Sequence, residues 1–365
     1  RHGGTAGAVE INDGVRINDN VYCDISGNAV IKNCHGSTVG AILGAGSYTK
    51  LSGNVKILNC IGGETGGVSC GSEATFSGNV LIEGCKGDAV GGIYATDPIT
   101  LSDHVTIRDC GLIPVDPDDS VREYKENAGG IYAWDTLTIK DHVTIENCTG
   151  NRGGAICLRY VFSVNPLGSS IGGNTVIRNN SAPYGGAIYV ESRELEIEDN
   201  AQIINNTAEN AGGGVYIAPL EKDRWSSYLD SLLIVSGGDI QGNQAPLGGG
   251  IYVSGTEEEG KRGYKPGKLA LSGGSVTNNT AEEAGGGIYQ CYDATVFVSG
   301  NPQVTGNTCD GTVNNLQLGW NGVDKPEDPE VTLEEFSAAF KQGEETFTAI
   351  IMEVALPPYV QEFES

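Results

Sequence analysis

Apolar positions along this chain come in short alternating segments, each closed by Gly, Asn, Asp or Ser. One column of β-branched residues runs Ile31, Ile57, Ile82, Ile107, Ile145, Ile177, Ile203, Ile240, Val276 and Val304. Three residues after each member stands Cys34, Cys60, Cys85, Cys110 or Cys148, and then Asn180, Asn206, Asn243, Asn279 or Asn307. A second column lies five or six residues upstream of the first, just before a turn: Ile25, Leu51, Phe76, Leu101, Ile139, Ile171, Ile197, Val235, Leu271 and Val298. A third follows a Gly pair, as in VGGIYA (90–95), GGAIYV (185–190) and GGGIYV (248–253). A plain repeat therefore takes about 25 residues. Each apolar segment is too short for two helical turns and is broken by Gly, so the pattern predicts strands. Repeats of this length with three short strands predict an all-β solenoid, a parallel β-helix of about ten rungs.

The repeat sets the domain expectation: residues 1–24 as an N-terminal cap with a degenerate rung, 25–320 as the solenoid, and 321–365 as a small α+β cap or the start of another module. Within the last segment, 331–342 reads as a short amphipathic helix and 347–356 as a strand. Stacked rungs align like residues, so Ile and Val fill the core and Asn at a turn hydrogen-bonds its neighbours above and below. The Gly pair permits positive φ or close chain approach at its corner. The change from Cys to Asn at mid-rod reads as a dry turn becoming a hydrogen-bonded one.

Composition narrows the function. The chain has 365 residues and a net charge of −25, which argues against nucleic acid or an anionic membrane as partner. No run of 18 apolar residues exists, so no membrane insertion is expected from this segment. Of the ten Cys, the five in the ladder point the same way from consecutive rungs, whereas a disulfide needs Cβ vectors directed at each other. They read as small buried hydrophobes, and Cys23, Cys70, Cys157, Cys291 and Cys309 are the better-placed participants in any bridge. With four His and no CxxC pair, a zinc site is not expected.

The GGAI segments at 153–156 and 185–188 and the IxxN segments Ile177–Asn180 and Ile203–Asn206 resemble the repeat of chlamydial polymorphic membrane proteins, whose signatures are GGA[ILV] and FxxN, with Ile here in place of Phe. The resemblance covers roughly residues 25–310. It implies a right-handed β-helix at a bacterial cell surface and, in that family, an adhesive role.

Function on a rigid scaffold is sought where the rung is interrupted. The stretch between the tyrosine segment and the next pre-turn residue lengthens to 14 residues at Cys157→Ile171 and to 19 at Tyr216→Val235 and Tyr252→Leu271. These insertions leave one corner and carry Arg159, Tyr160, Phe162, Arg224, Trp225, Tyr228, Arg262 and Tyr264, a basic and aromatic set on an acidic rod. Beside them runs a tyrosine column that includes Tyr189, Tyr216 and Tyr252. Period-2 alternation turns it away from the core. It is either an aromatic ribbon for sugar rings or a protein partner, or a set of rings that stack on one another and cover the sheet. A further insertion, 111–127, holds Asp116, Asp118 and Asp119 as weak candidates for Ca²⁺; lacking the EF-hand Gly and distal Glu, it reads as a solvated turn, and no cofactor is expected.

The expected function is non-catalytic adhesion by an extracellular, monomeric segment that binds a host or microbial surface glycan or protein. A polysaccharide lyase or glycoside hydrolase and a structural spacer are the alternatives. Outward acids exist, but none forms a recognisable catalytic pair, and GxSxG and HExxH are absent.

Overall fold

The structure is a computed structural model that describes residues 7, 9–12, 22–114, 128–159, 168–191, 193–221, 230–255, 264–291, 293–318, 351–352 and 354–355. Every described residue in regular structure is β, and the strands assemble into three long parallel sheets of 12, 10 and 11 strands. Each sheet takes one of the three columns read in the sequence. Ile57 pairs with Ile82 and Ile82 with Ile107 in the first. Leu51, Phe76 and Leu101 align in the second. Tyr216 lies between Tyr189 and Tyr252 in the third, the tyrosine sheet. The parallel β-helix follows: each turn of chain contributes one strand to every sheet before it advances a rung.

Most rungs also carry a short fourth strand, a difference from the three expected; the rung between Thr144–Glu146 and Ile156–Arg159 has isolated bridges at Thr149 and Arg152 instead. The fourth strand lies between the Cys/Asn corner and the Gly pair and forms two separate sheets of four and six strands. Segments such as His35–Gly36 and Thr207–Ala211 are too polar to announce a strand by apolar pattern. Two such segments at the top of the rod turn back antiparallel, Thr308–Cys309 against Thr312–Val313. At the rod ends, Val9–Asn12 pairs with Ile42–Ala45 on the tyrosine sheet, and Ile351–Met352 and Val354–Ala355 continue two of the long sheets. The helix expected at 331–342 lies outside the described residues.

Strand alternation builds the interior. Middle residues such as Ile57, Ile82 and Ile107 in one sheet, and flanking pairs such as Ile93 with Ala95 and Ile99 with Leu101 in the others, point inward and are fully buried. They join in one continuous apolar column with Phe76 as its largest member. Backbone polar groups are satisfied between rungs, so each strand can be buried on both sides of its hydrogen-bonding plane.

The corners explain the polar columns. Asn180 donates its backbone N–H and its Nδ2 to Asn206 Oδ1 at 2.9 and 3.0 Å. The same pair of bonds joins Asn206 to Asn243, Asn243 to Asn279, Asn279 to Asn307 and Asn307 to Asn315. The remaining Nδ2 hydrogen goes to a carbonyl of the rung below, Ile145 for Asn180 and Ile203 for Asn243. Every polar atom of these buried amides is thereby used. Below the junction, where Cys148 N–H donates to Asn180 Oδ1, the corner is sulfur. Each thiol there donates weakly to the carbonyl two residues back, at 3.3 to 3.6 Å. All ten cysteines are free.

One column escaped the sequence reading. The residue just before the Cys/Asn corner is left-handed throughout: Asn33, Asn59, Gly84, Asp109, Asn147, Asn179, Asn205, Gly242, Asn278 and Gly306 all have positive φ. The residue types are those that tolerate this conformation, which was the available signal. At the Gly pair the two expected reasons for glycine separate. Its first member needs closeness: a Cβ on Gly129 would meet the Gly154 carbonyl oxygen one rung up at 2.3 Å. The residue before it, in upper rungs, needs the backbone angle, as Gly212 at φ 68° shows.

Candidate functional site

The tyrosine sheet carries the candidate residues. Ile188, Val190, Val215 and Ile217 face the core, so Tyr189 and Tyr216 face the opposite way. One rung of rise then sets ring on ring. Tyr189, Tyr216, Tyr252 and Tyr289 stack nearly parallel, with centroids 5.3, 5.0 and 5.4 Å apart. Tyr94 and Tyr132 form a separate stack at 5.5 Å. Of the two readings of this column, the one the structure shows is rings that stack on one another and cover the sheet, not an open ribbon. Tyr189, Tyr216 and Tyr252 are only 6%, 3% and 8% exposed, and form a second apolar cluster outside the barrel. Tyr184, Ala211 and Leu247 flank it on one side, while Ala218, Trp134 and Cys291 join the same cluster. With their faces used by each other, these rings cover the sheet and leave no open face for a sugar. Burial raises the phenol pKa of Tyr132, Tyr189 and Tyr252, and raises that of Tyr94 and Tyr289 at the ends to about 12.

The stack is broken at Cys157, which pairs with Tyr132 below and Tyr189 above. Into that break comes Arg152, its guanidinium carbon 5.2 Å from the centre of the Tyr189 ring. Glu191 lies 3.6 Å from Arg152 and 3.3 Å from Arg159. Burial raises the Glu191 carboxyl pKa, and the two guanidinium groups oppose that shift without cancelling it. Nearby, the buried Arg193 donates to Asp135 Oδ1 and to the Trp134 carbonyl, both at 3.1 Å. Three outward-facing acids are thus engaged: Glu191 and Asp135 are held by arginines, and Glu196 accepts from Ser236 Oγ. His104 and His142 stack at 5.1 Å in an exposed corner ladder, with Asn174 within 3.2 Å of His142.

The insertions leave from the C-terminal edge of the tyrosine sheet. Arg159 ends the strand Ile156–Arg159 and faces Glu191. The two larger insertions, on consecutive rungs, are joined at their base by an antiparallel ribbon of Leu220–Glu221 with Tyr264–Lys265. Asp230 braces that base, with Lys268 Nζ at 2.8 Å and Lys265 Nζ at 3.6 Å. Partial burial raises the Asp230 carboxyl pKa, but the two lysines outweigh it and the net shift is downward. Tyr160, Phe162, Arg224, Trp225, Tyr228 and Arg262, with Asp116, Asp118 and Asp119, lie outside the described residues, as does the side chain of Tyr264. Among the described residues no group of three or more His, Cys, Asp or Glu is arranged to hold a metal, and no helix is long and apolar enough to cross a membrane.

Comparison with known proteins places one rung. Residues 174–191 match the Chlamydia polymorphic membrane protein repeat model, while no curated protein and no solved structure matches the chain. The matched stretch holds the strand Val176–Arg178, the corner amide Asn180 and the tyrosine strand Ile188–Glu191. Its ladder partners above and below repeat the same geometry with altered side chains. The chain therefore carries, at the middle of its β-helix, a repeat of the Chlamydia polymorphic membrane protein type.

Proposed function

We propose that this chain is the adhesive segment of a bacterial cell-surface protein. It binds a host or neighbouring-cell ligand along the insertion edge of the tyrosine sheet. The observation that carries this reading is the ribbon joining Leu220–Glu221 to Tyr264–Lys265. It ties two insertions from consecutive rungs into one unit on a rigid rod, with Arg159 on the same edge. The Chlamydia polymorphic membrane protein repeat supports a surface setting. Binding without chemistry fits the described acids near this edge, since Glu191 and Asp135 are engaged by arginines.

The insertion residues Arg159, Tyr160, Phe162, Arg224, Trp225, Tyr228, Arg262 and Tyr264 suit an acidic glycan. Guanidinium groups take carboxylate or sulfate, and aromatic rings take the sugar face. A protein ligand would use the same anchors. The test is a glycan array run with wild type and with the triple variant Trp225→Ala, Tyr264→Ala, Arg224→Ala, alongside hydrolysis and lyase assays. Binding that is lost in the variant is the expected result. Unchanged binding by the variant would refute this edge, and product release would replace adhesion by a glycan-active enzyme.

A further inference from the structure

The opposite edge of the tyrosine sheet holds a feature that the insertion reading does not use. There the fourth strands stack Arg152, Tyr184, Ala211, Leu247 and Ala284 as successive members of one column. Side chains in this column flank the tyrosines. Tyr184 meets Tyr216 edge-on at 5.2 Å, and Arg152 covers Tyr189. Ala211 is too short to do the same. Its rung is left as a cleft of about 320 Å³, with Tyr184 below, Pro246 and Leu247 above, and Tyr216 and Tyr252 as its back wall. The exposed Glu209 and Glu283 stand at its mouth.

We propose that this cleft is a receptor for a single lysine or arginine side chain displayed by a partner protein. Three observations converge on a cation. The chain already places a guanidinium against this tyrosine column, from the same column of side chains, and pairs it with a carboxylate, Glu191. The vacant position offers the same surroundings: aromatic rings behind, apolar Pro246 and Leu247 for an aliphatic stem, and carboxylates at the mouth. A cation against an aromatic wall is attracted by the ring quadrupole, and more so when partly desolvated. The net charge of −25 draws basic partners toward the rod from a distance, and the cleft offers them an apolar seat. This site lies across the sheet from the insertions, so it stands or falls separately from them.

The test is fluorescence anisotropy at physiological salt with a labelled hexalysine peptide, and with hexaglutamate, a neutral Gly-Ser peptide and a chito-oligosaccharide as competitors. Ala211→Leu fills the cleft without changing any charge, and the fold already accommodates leucine at Leu247 in the same column. It is expected to weaken hexalysine binding at least tenfold. Glu209→Gln with Glu283→Gln is expected to weaken it comparably. The exposed pair Asp24→Asn with Glu73→Gln, which removes the same charge elsewhere on the rod, is expected to change it less than twofold. Equal losses in the two charge-removing pairs would show general electrostatic capture and overturn the proposal. Wild-type binding by Ala211→Leu, or displacement of hexalysine by the neutral peptide or sugar, would overturn it as well.

Discussion

A single asparagine in this rod does different work according to its corner. Asn243 and Asn200 both donate Nδ2 to an asparagine Oδ1 on a neighbouring rung, at 3.0 and 3.3 Å. Asn200 is exposed, and water replaces whatever is removed. Asn243 is fully buried and also serves the Asn206 N–H, the Asn206 Nδ2 and the Ile203 carbonyl. Each buried group left without a partner costs about 1–3 kcal/mol. Asn243→Ala orphans several at once and is expected to lower stability by about 3 kcal/mol, whereas Asn200→Ala stays within about 0.5 kcal/mol, as surface changes usually do. Denaturant melts of the two variants check this. Equal losses would mean that burial does not set the worth of the ladder.

The sulfur ladder and the tyrosine column behave as extended elements with a shared response to pH. Hydrogen bonding between neighbouring ladder thiols, together with burial, raises the pKa of Cys60, Cys85 and Cys110. Burial raises Cys70 to about 12 and raises Tyr132, Tyr189 and Tyr252 as well. These groups keep their protons in the fold at a pH where the unfolded chain has lost them. The stability they support is complete below about pH 9 and falls as pH rises from there toward 12. Thermal melts between pH 7 and pH 11 in reductant are expected to show a steep decline above pH 9. A flat profile to pH 11 would contradict the burial described.

These columns were legible because a parallel stack repeats an inward residue at a constant interval, and Ile57, Ile82 and Ile107 kept that interval. The fourth strand was not legible, since Thr207–Ala211 is held by backbone bonds between rungs and carries no apolar alternation. Nor was the cover over Tyr216. Alternation told that its ring leaves the core, but what lies over it depends on Tyr184 and Leu247, which belong to another sheet. The insertion edge was located by length alone. The ribbon at its base depends on the pairing of Leu220 with Lys265, which no local pattern announces.

At the scale of the whole molecule, the parallel strand partners among the described residues are successive rungs of the chain. Thr75 pairs with Thr100, 25 residues on, and Tyr216 with Tyr252, 36 residues on. Among the described residues no strand bridges distant parts of the rod, and none clamps its two ends together. Tension applied to the termini therefore meets one rung at a time instead of a single cooperative barrier. Pulled in an optical trap, the rod is expected to lengthen in a staircase. A plain rung of about 25 residues releases about 85 Å, and the rungs with large insertions release about 120 Å. One all-or-none rip would be incompatible with the rung-to-rung pairing. A rod built this way gives under load by small, recoverable increments, and a tether that shortens and lengthens by rungs holds its cargo through forces that would tear a globular domain open at a stroke.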